Sequence, residues 1–548
     1  MRITAKIMQN NSLSNININK TLQDKLNTQM ATEKKINRPS DDPVVAIRAL
    51  RLRTNVSQVT QYYGKNVPDA ESWLKVTEDA LSTVSDVITD MIAQCTSGAN
   101  EKLTSADRNT ILDALKSLRD EVYATGNADY AGRSVFTGYR TESTLKFTAD
   151  TQKTYSITEH ITTADIDTIT HVTTGDINSI NDANFNNAEY NGIVEQDVEA
   201  QYIHRIRLSY SDVDDITSYK QIDLDGDGVL DATAPTLTNY DETTGTYKTL
   251  QVDTDGDGVL DTDMSAITIA SVNDNPNPYE SVPANGAVLI KETGELLLGE
   301  NVYNSLMSKK DNINTVFNES SILVSYQKTN WEKDDLKPEH YFTCTDMTSD
   351  NVAEHVTYNA AYIIPGEEVE KQVIEYDIGM NQTIRVNTTA DEVFRHAIGR
   401  DVDDLVNAMQ DVVDMEETVA RLEAMVKADK YTDEQKQVIQ KQLDAANKAF
   451  TELSEKAQKL FEAGISKMQG HLDTANLAVT NCGTRSKTLE LIETRLMSQK
   501  TNFETLESEN ENVDITEVAI QLSSAELTYE AALMATGKLM QTSLMDYI

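Results

Sequence analysis

Between Asp69 and Gln94 apolar side chains return every seventh residue at Leu74, Leu81 and Ile88, and Thr77, Val84 and Met91 fall three places after each. That spacing predicts a helix with one seam laid against other helices, as in a coiled coil. A second helix is expected from Ser105, read as its N-cap, through Ile111, Leu115, Leu118 and Val122 to a stop at Gly126. Two amphipathic helices in succession predict a hairpin. The pattern returns later, with Val402, Leu405, Met409 and Val412 on one helix and Val438, Leu443, Phe450, Leu453 and Leu460 on the next. Leu489, Ile492, Leu496, Phe503 and Leu506 carry a third stripe, and helix dominates from about 391 onward. At the end, Asp514 and Glu517 have capping-box spacing, and Ile515, Leu522 and Tyr529 alternate with Val518, Ala525, Ala532 and Leu539. We take Ile515, Val518, Leu522, Tyr529 and Leu539 as the candidate assembly interface. Several seam positions are Ala, so this helix is expected to be frayed until partner helices cover it. The polar start, with Asn10, Asn11, Asn15, Asn17 and Asn19, is expected to behave likewise.

Residues 141–390 change character to Thr, Asp, Asn and Tyr, with alternating runs such as Val288 to Leu298 around a turn, which predict β-hairpins. The expected fold class is therefore α+β: a long antiparallel α-helical coiled-coil bundle formed by both chain ends, with a β-rich inserted region in the middle. The expected division is 1–42 with 506–548 as terminal assembly helices and 43–140 with 391–505 as the helical bundle. Residues 141–285 are expected to be a variable β-rich insertion, and 286–390 a further β-rich module.

Composition narrows the function. The 548 residues hold 48 Lys+Arg against 89 Asp+Glu, a net charge of -41, so nucleic acid and anionic membrane surfaces are unfavourable partners. No stretch approaches the roughly 18 apolar residues of a membrane helix, and Met1 to Lys20 lacks an apolar core and a cleavage site. No membrane insertion is expected, and the location is cytosolic or reached by unconventional export. Cys95, Cys344 and Cys482 are too few and too scattered for a disulfide framework. His340 and Cys344, four apart with no second pair, are a weak zinc signal. Trp73 and Trp331 read as packing anchors. None of the catalytic or phosphate-binding motifs sought is present, so no enzyme and no catalytic residue is expected.

One constellation stands apart. Asp223, Asp225, Asp227 and Asp231, with Gly228, recur thirty residues on as Asp253, Asp255, Asp257 and Asp261, with Gly258. Asp at loop positions 1, 3, 5 and 9 with Gly at 6 resembles an EF-hand-type loop, which predicts weak, structural Ca2+ binding. Position 12 departs from that pattern, being Ala234 and Met264. Ser211 to Asp263 holds 13 Asp and one Glu against two Lys, a local charge of -12 that cations would relieve. The alternative is a solvated acidic hairpin with Asp-Gly turns.

The run Asn37-Arg-Pro-Ser-Asp-Asp-Pro43 is followed by Ala46, Arg48, Leu50, Leu52, Gln61, Tyr62 and Asn66, then by Gly132-Arg-Ser-Val-Phe-Thr-Gly138 and Thr293 to Glu300. With the ending Glu530 to Ile548, it resembles the flagellin superfamily, and within it the members at the hook–filament junction. The resemblance covers about 1–145 and 390–548, 286–390 loosely, and 146–285 not at all. It implies a non-enzymatic structural component of the bacterial flagellum, exported unfolded by the type III apparatus without a cleaved signal peptide and working extracellularly at that junction. Implied partners are copies of itself in a ring or helical array, hook-associated protein 1, flagellin or the filament cap protein, and an export chaperone over the C-terminal helix. Two alternatives stay open: a flagellin-like filament subunit, and a calcium-binding surface adhesin on a flagellin scaffold.

Overall fold

The computed structural model describes residues 5–100, 102–220, 235–241, 244–254, 259–260, 262–274, 277–308, 320–363 and 372–545. Helices hold both ends of the chain and strands its middle, the α+β arrangement expected. The helices are α1 (Ala5–Thr32), α2 (Pro43–Gln61), α3 (Val67–Gly98), α4 (Ser105–Thr125), α5 (Glu300–Ser308), α6 (Ala390–Val393), α7 (His396–Lys427), α8 (Asp433–Glu511) and α9 (Ile515–Met545). The heptad on α3 is fully used: Leu74, Leu81, Ile88, Val84 and Met91 are all inaccessible to solvent. Thr77 shares that seam because its hydroxyl donates to the Trp73 carbonyl at 2.9 Å, which satisfies the one polar group there.

The start of α4 differs from expectation by one residue. Thr104, in extended conformation, is the N-cap: its hydroxyl accepts from the Asp107 N–H, and the Asp107 carboxylate accepts from the Thr104 N–H. Ser105 as N-cap would have placed Arg108 three residues on, a side chain with no acceptor to complete the box. The stripes beginning at Val438 and Leu489 belong to one helix, α8, of 79 residues.

Two compact units result. The first takes residues 1–71, 375–384 and 486–548; the second takes 72–374 and 385–485. In the second unit α4 lies on α7 through Arg108 to Glu416 at 2.6 Å and Arg119 to Asp403 at 2.5 Å. The Tyr123 hydroxyl accepts from the Gly399 N–H at 2.8 Å, and a Cβ at Gly399 would meet that oxygen at the same distance, so the crossing requires glycine. A core of Val412, Met415, Leu422, Ile439, Ala446, Ala449 and Leu453 from α7 and α8 is completed by Ile177, Ile180, Phe185 and Val198.

The same unit holds two larger sheets. In the five-stranded sheet the order is Thr268–Ala270, Ala287–Ile290, Glu295–Leu298, Glu199–Arg207, Ile166–Thr173. The hairpin anticipated from Val288 to Leu298 is its centre, pairing Val288 with Leu297, and Gly294 makes the turn at φ 64°. The six-stranded sheet runs Val356–Tyr358, Thr343–Asp346, Thr151–Thr162, Ser321–Trp331, Thr236–Asp241, Thr246–Thr249. Strands from 141–285 and from 286–390 thus interleave in both sheets. Trp331 closes one end of the core, within 5.0–5.5 Å of the rings of Phe147, Tyr155 and Tyr210. Trp73 is equally buried, with the Arg133 guanidinium over its ring at 5.0 Å. The three cysteines are buried and free.

Candidate assembly interface

In the first unit the two chain ends meet. A short bridge pairs Lys34 with Asn512, and the Lys35 N–H donates to the Glu511 carbonyl at 2.7 Å. Glu511, only 5% exposed, receives Arg53 through both carboxylate oxygens at 2.6 Å and Lys34 at 3.3 Å. The hydrogen bonds from Arg53, aided by Lys34, hold the Glu511 carboxyl below its ordinary range. A single π turn, Tyr62–Asn66, breaks the regular helix after α2. It lets the Asn66 amide donate to the Asp377 carbonyl at 2.7 Å, while Tyr376 bonds to Asp69.

At the N-terminus of α2, Asp42 is the N-cap and Pro43 the first helical residue: the Asp42 carboxylate accepts from the Val44 and Val45 N–H groups at 3.0 and 3.1 Å. Asp514 caps α9 the same way, accepting from the Thr516 and Glu517 N–H groups. These caps use the local acceptors that both sequences offer.

The helix faces carry the interface argument. On α9, Val518 and Ala525 are buried against Leu26 of α1, with Leu522 beside them; Tyr529 is half-buried and Ile515 about half exposed. The Leu539 side chain lies outside the described residues, although its backbone belongs to α9. Val518, Leu522 and Ala525 of that heptad seam therefore supply an intrachain contact. The opposite face of α9, at about 100° per residue, carries Ile520, Leu527 and Met534, which are 67%, 70% and 66% exposed. These three were not singled out in the sequence, although their own seven-residue spacing was the available signal.

On α1 the less exposed positions are Gln9, Ser12, Ile16, Asn19, Gln23, Leu26 and Gln29, of which Ile16 and Leu26 alone are apolar. Ile7, Leu13, Ile18 and Leu22 point outward and stay exposed. The helix shows solvent more hydrocarbon than it turns toward its own chain. On α2 Val44, Ile47 and Leu50 are exposed as well. Burying each such side chain returns about 1.5–3 kcal/mol, so these faces favour association with further helices.

Of the eight aspartates expected to bind calcium, Asp253 lies among the described residues, half-buried directly after the strand Gln251–Val252. Asp223, Asp225, Asp227, Asp231, Asp255, Asp257 and Asp261 lie outside them. The flanks of the second motif pair as a short antiparallel ladder, Gln251 with Asp263 and Val252 with Thr262. Among the described residues no cluster of three or more His, Cys, Asp or Glu could hold a metal ion. His340 is buried, its Nε2 3.2 Å from the Thr144 carbonyl oxygen. Among the described residues no helix is long and apolar enough to cross a membrane.

Residues 3–141 match the family described as the bacterial flagellin N-terminal helical region. Flagellar hook-associated protein 3 of Salmonella typhimurium is 31% identical over 144 residues, covering 26% of this chain and 45% of that protein. Flagellin of Clostridium tyrobutyricum is 27% identical over 127 residues, 23% of this chain and 33% of that one. The matched stretch thus spans less than half the length of these relatives. A solved structure of a flagellar hook-associated protein from Vibrio parahaemolyticus aligns over 86% of this chain and all of that one, at 12% identity and a TM-score of 0.31.

Proposed function

From a chain of which about a quarter is similar to flagellar hook-associated protein 3 and whose residues 3–141 match the flagellin N-terminal helical region, we propose a structural subunit of the bacterial flagellum that joins hook to filament by helical self-assembly. The observation that carries this reading is the outward apolar face on both terminal helices, Ile18 and Leu22 on α1 with Ile520, Leu527 and Met534 on α9. A monomer gains nothing from such faces, whereas a helical array buries them. In this reading the two chain ends build an antiparallel coiled-coil bundle in the array. Its partners are further copies, hook-associated protein 1 on one side and flagellin or the filament cap protein on the other. An export chaperone covers α9 before type III export to the extracellular junction, and the protein has no enzymatic role. Immunogold microscopy of intact flagella with antibody against residues 141–390 tests it. A narrow band between hook and filament is expected; label along the whole filament would make this a flagellin, and label on the cell surface alone would make it an adhesin.

The duplicated acidic motif supports a second, local role: structural Ca2+ held by Asp223, Asp225, Asp227 and Asp231 and by Asp253, Asp255, Asp257 and Asp261. The antiparallel pairing of the second motif's flanks, Gln251 with Asp263 and Val252 with Thr262, favours it. Millimolar-class calcium should raise the melting temperature of the full chain, and an unchanged melt in excess calcium would sink the idea.

A further inference from the structure

Resting on that assembly reading, we infer that the outer face of α2 docks onto the outer face of α9 of a second copy of this chain, with Arg48 and Arg51 lying along Glu526 and Glu530. The charge distribution carries the argument. The chain is strongly acidic as a whole, yet residues 1–71 hold 11 Lys+Arg against 6 Asp+Glu, a net +5. Residues 486–548 hold 4 against 11, a net -7. Some of this opposition is used within the subunit, where Lys34 and Arg53 meet Glu511 and Arg53 also approaches Glu507 at 3.7 Å. Arg48, Arg51, Glu526 and Glu530 are all exposed, and among the described residues none is in an ion pair.

Each charged edge borders hydrocarbon. On α2, Arg48 and Arg51 flank the exposed Val44, Ile47 and Leu50; on α9, Glu526 and Glu530 lie to one side of Ile520, Leu527 and Met534. The apolar strips supply affinity, and the charged edges select partner and register, since like-charged faces repel. An α9–α9 contact would set Glu526 and Glu530 against themselves, whereas α2 against α9 sets opposite signs together. The partner is another molecule, because the inner face of α9 is taken by α1 of its own chain while, among the described residues, both outer faces stay uncovered. Joining two different faces head to tail leaves one of each free on every chain added, so the contact can repeat around a ring or along a helical array.

Sedimentation velocity on the full-length protein tests this. Wild-type self-association should weaken as salt rises from roughly 0.01 M to roughly 1 M, where the Debye length falls from about 30 Å to about 3 Å. The variant Arg48→Glu/Arg51→Glu should associate about tenfold more weakly, as should Glu526→Lys/Glu530→Lys. Mixing the two should restore association, because each then offers the face the other needs, and Arg48→Lys/Arg51→Lys should keep it. Unchanged far-UV circular dichroism would exclude misfolding. If wild type associates and either reversal associates equally well, or the mixture fails to recover, this pairing falls while the assembly reading stands. A wild type that stays monomeric throughout overturns both.

Discussion

Acidification should destabilise the second unit well before its carboxylates titrate, because three of its histidines, His340 buried and His171 and His396 half-buried, sit in places that suit only the neutral ring. His171 stacks on Tyr279 with ring centres 4.2 Å apart, and burial, with the charge of Lys456, pushes it down to about 4. His340 is likewise lowered by burial to about 4, even though Glu339 beside it favours the cation. His396 is boxed by Tyr210, Tyr341 and Phe342, with centres 4.7, 4.5 and 5.1 Å away, and burial together with Arg400 takes it to about 3. An unfolded histidine titrates near ~6.5, so below that pH the unfolded chain binds protons that the folded one refuses. Stability is therefore complete above ~6.5 and falls with pH until the folded values near 3–4 are reached. Each group costs about 1.4 kcal/mol per pH unit in that window, and three of them lose roughly 6 kcal/mol between neutral pH and about pH 5. Burial raises Glu159, Asp335 and Asp411, which take up protons more readily when folded and so trim the loss. Burial opposes ionisation of Asp401 too, yet His471, Arg207 and Lys467 hold it low, so its contribution disappears only at stronger acidity. Trp73 and Trp331, both buried in this unit, report its unfolding by fluorescence. The urea midpoint should drop on going from neutral pH to about pH 5, and His396→Phe should remove about a third of that slope. A midpoint that stays flat, or rises, would refute the reasoning.

Other sites offer simpler tests. Leu81→Ala empties a fully buried α3 seam position and should cost roughly 3–5 kcal/mol in urea unfolding of the second unit. Glu511→Gln removes the acceptor charge from a pair whose carboxylate is nearly buried and whose Arg53 guanidinium is exposed; at about 1 kcal/mol, it should speed amide exchange around 33–36 and 509–514, and unchanged protection would count against the clasp. Thr104→Ala should cost about 1 kcal/mol and loosen the first turn of α4, seen as lost protection at Asp107 and Arg108.

The parts of the fold that were legible beforehand are those governed by local chemistry. The α3 heptad is a repeat that one element carries by itself, and the Asp514 cap is a neighbour of the N–H groups it satisfies. The hairpin around Gly294 was readable because its strands are separated by one turn. What stayed hidden depends on distant partners. Thr151–Thr162 pairs with Ser321–Trp331 and His204 stacks on Tyr303, and no spacing in the chain announces either meeting. The α9 seam was visible, but which of its faces the chain covers for itself depends on α1, whose matching positions are mostly Gln, Ser and Asn. Apolar spacing alone does not mark such a mixed seam, and Ile520, Leu527 and Met534 repeat at the same seven-residue period on the outer face.

The interleaved sheets also bear on the order in which the chain can become structured as it leaves the ribosome. Thr151–Thr162 finds its long partner only when Ser321–Trp331 has been made, and α1 waits for α9, about 480 residues later in the sequence. At about 5–20 residues per second, the strand waits roughly ten to thirty seconds and the first helix longer still. Neither unit can close early. The nascent chain therefore lacks its closed units for most of its synthesis, an interval in which whatever grips unfolded polypeptide competes only against incomplete structure.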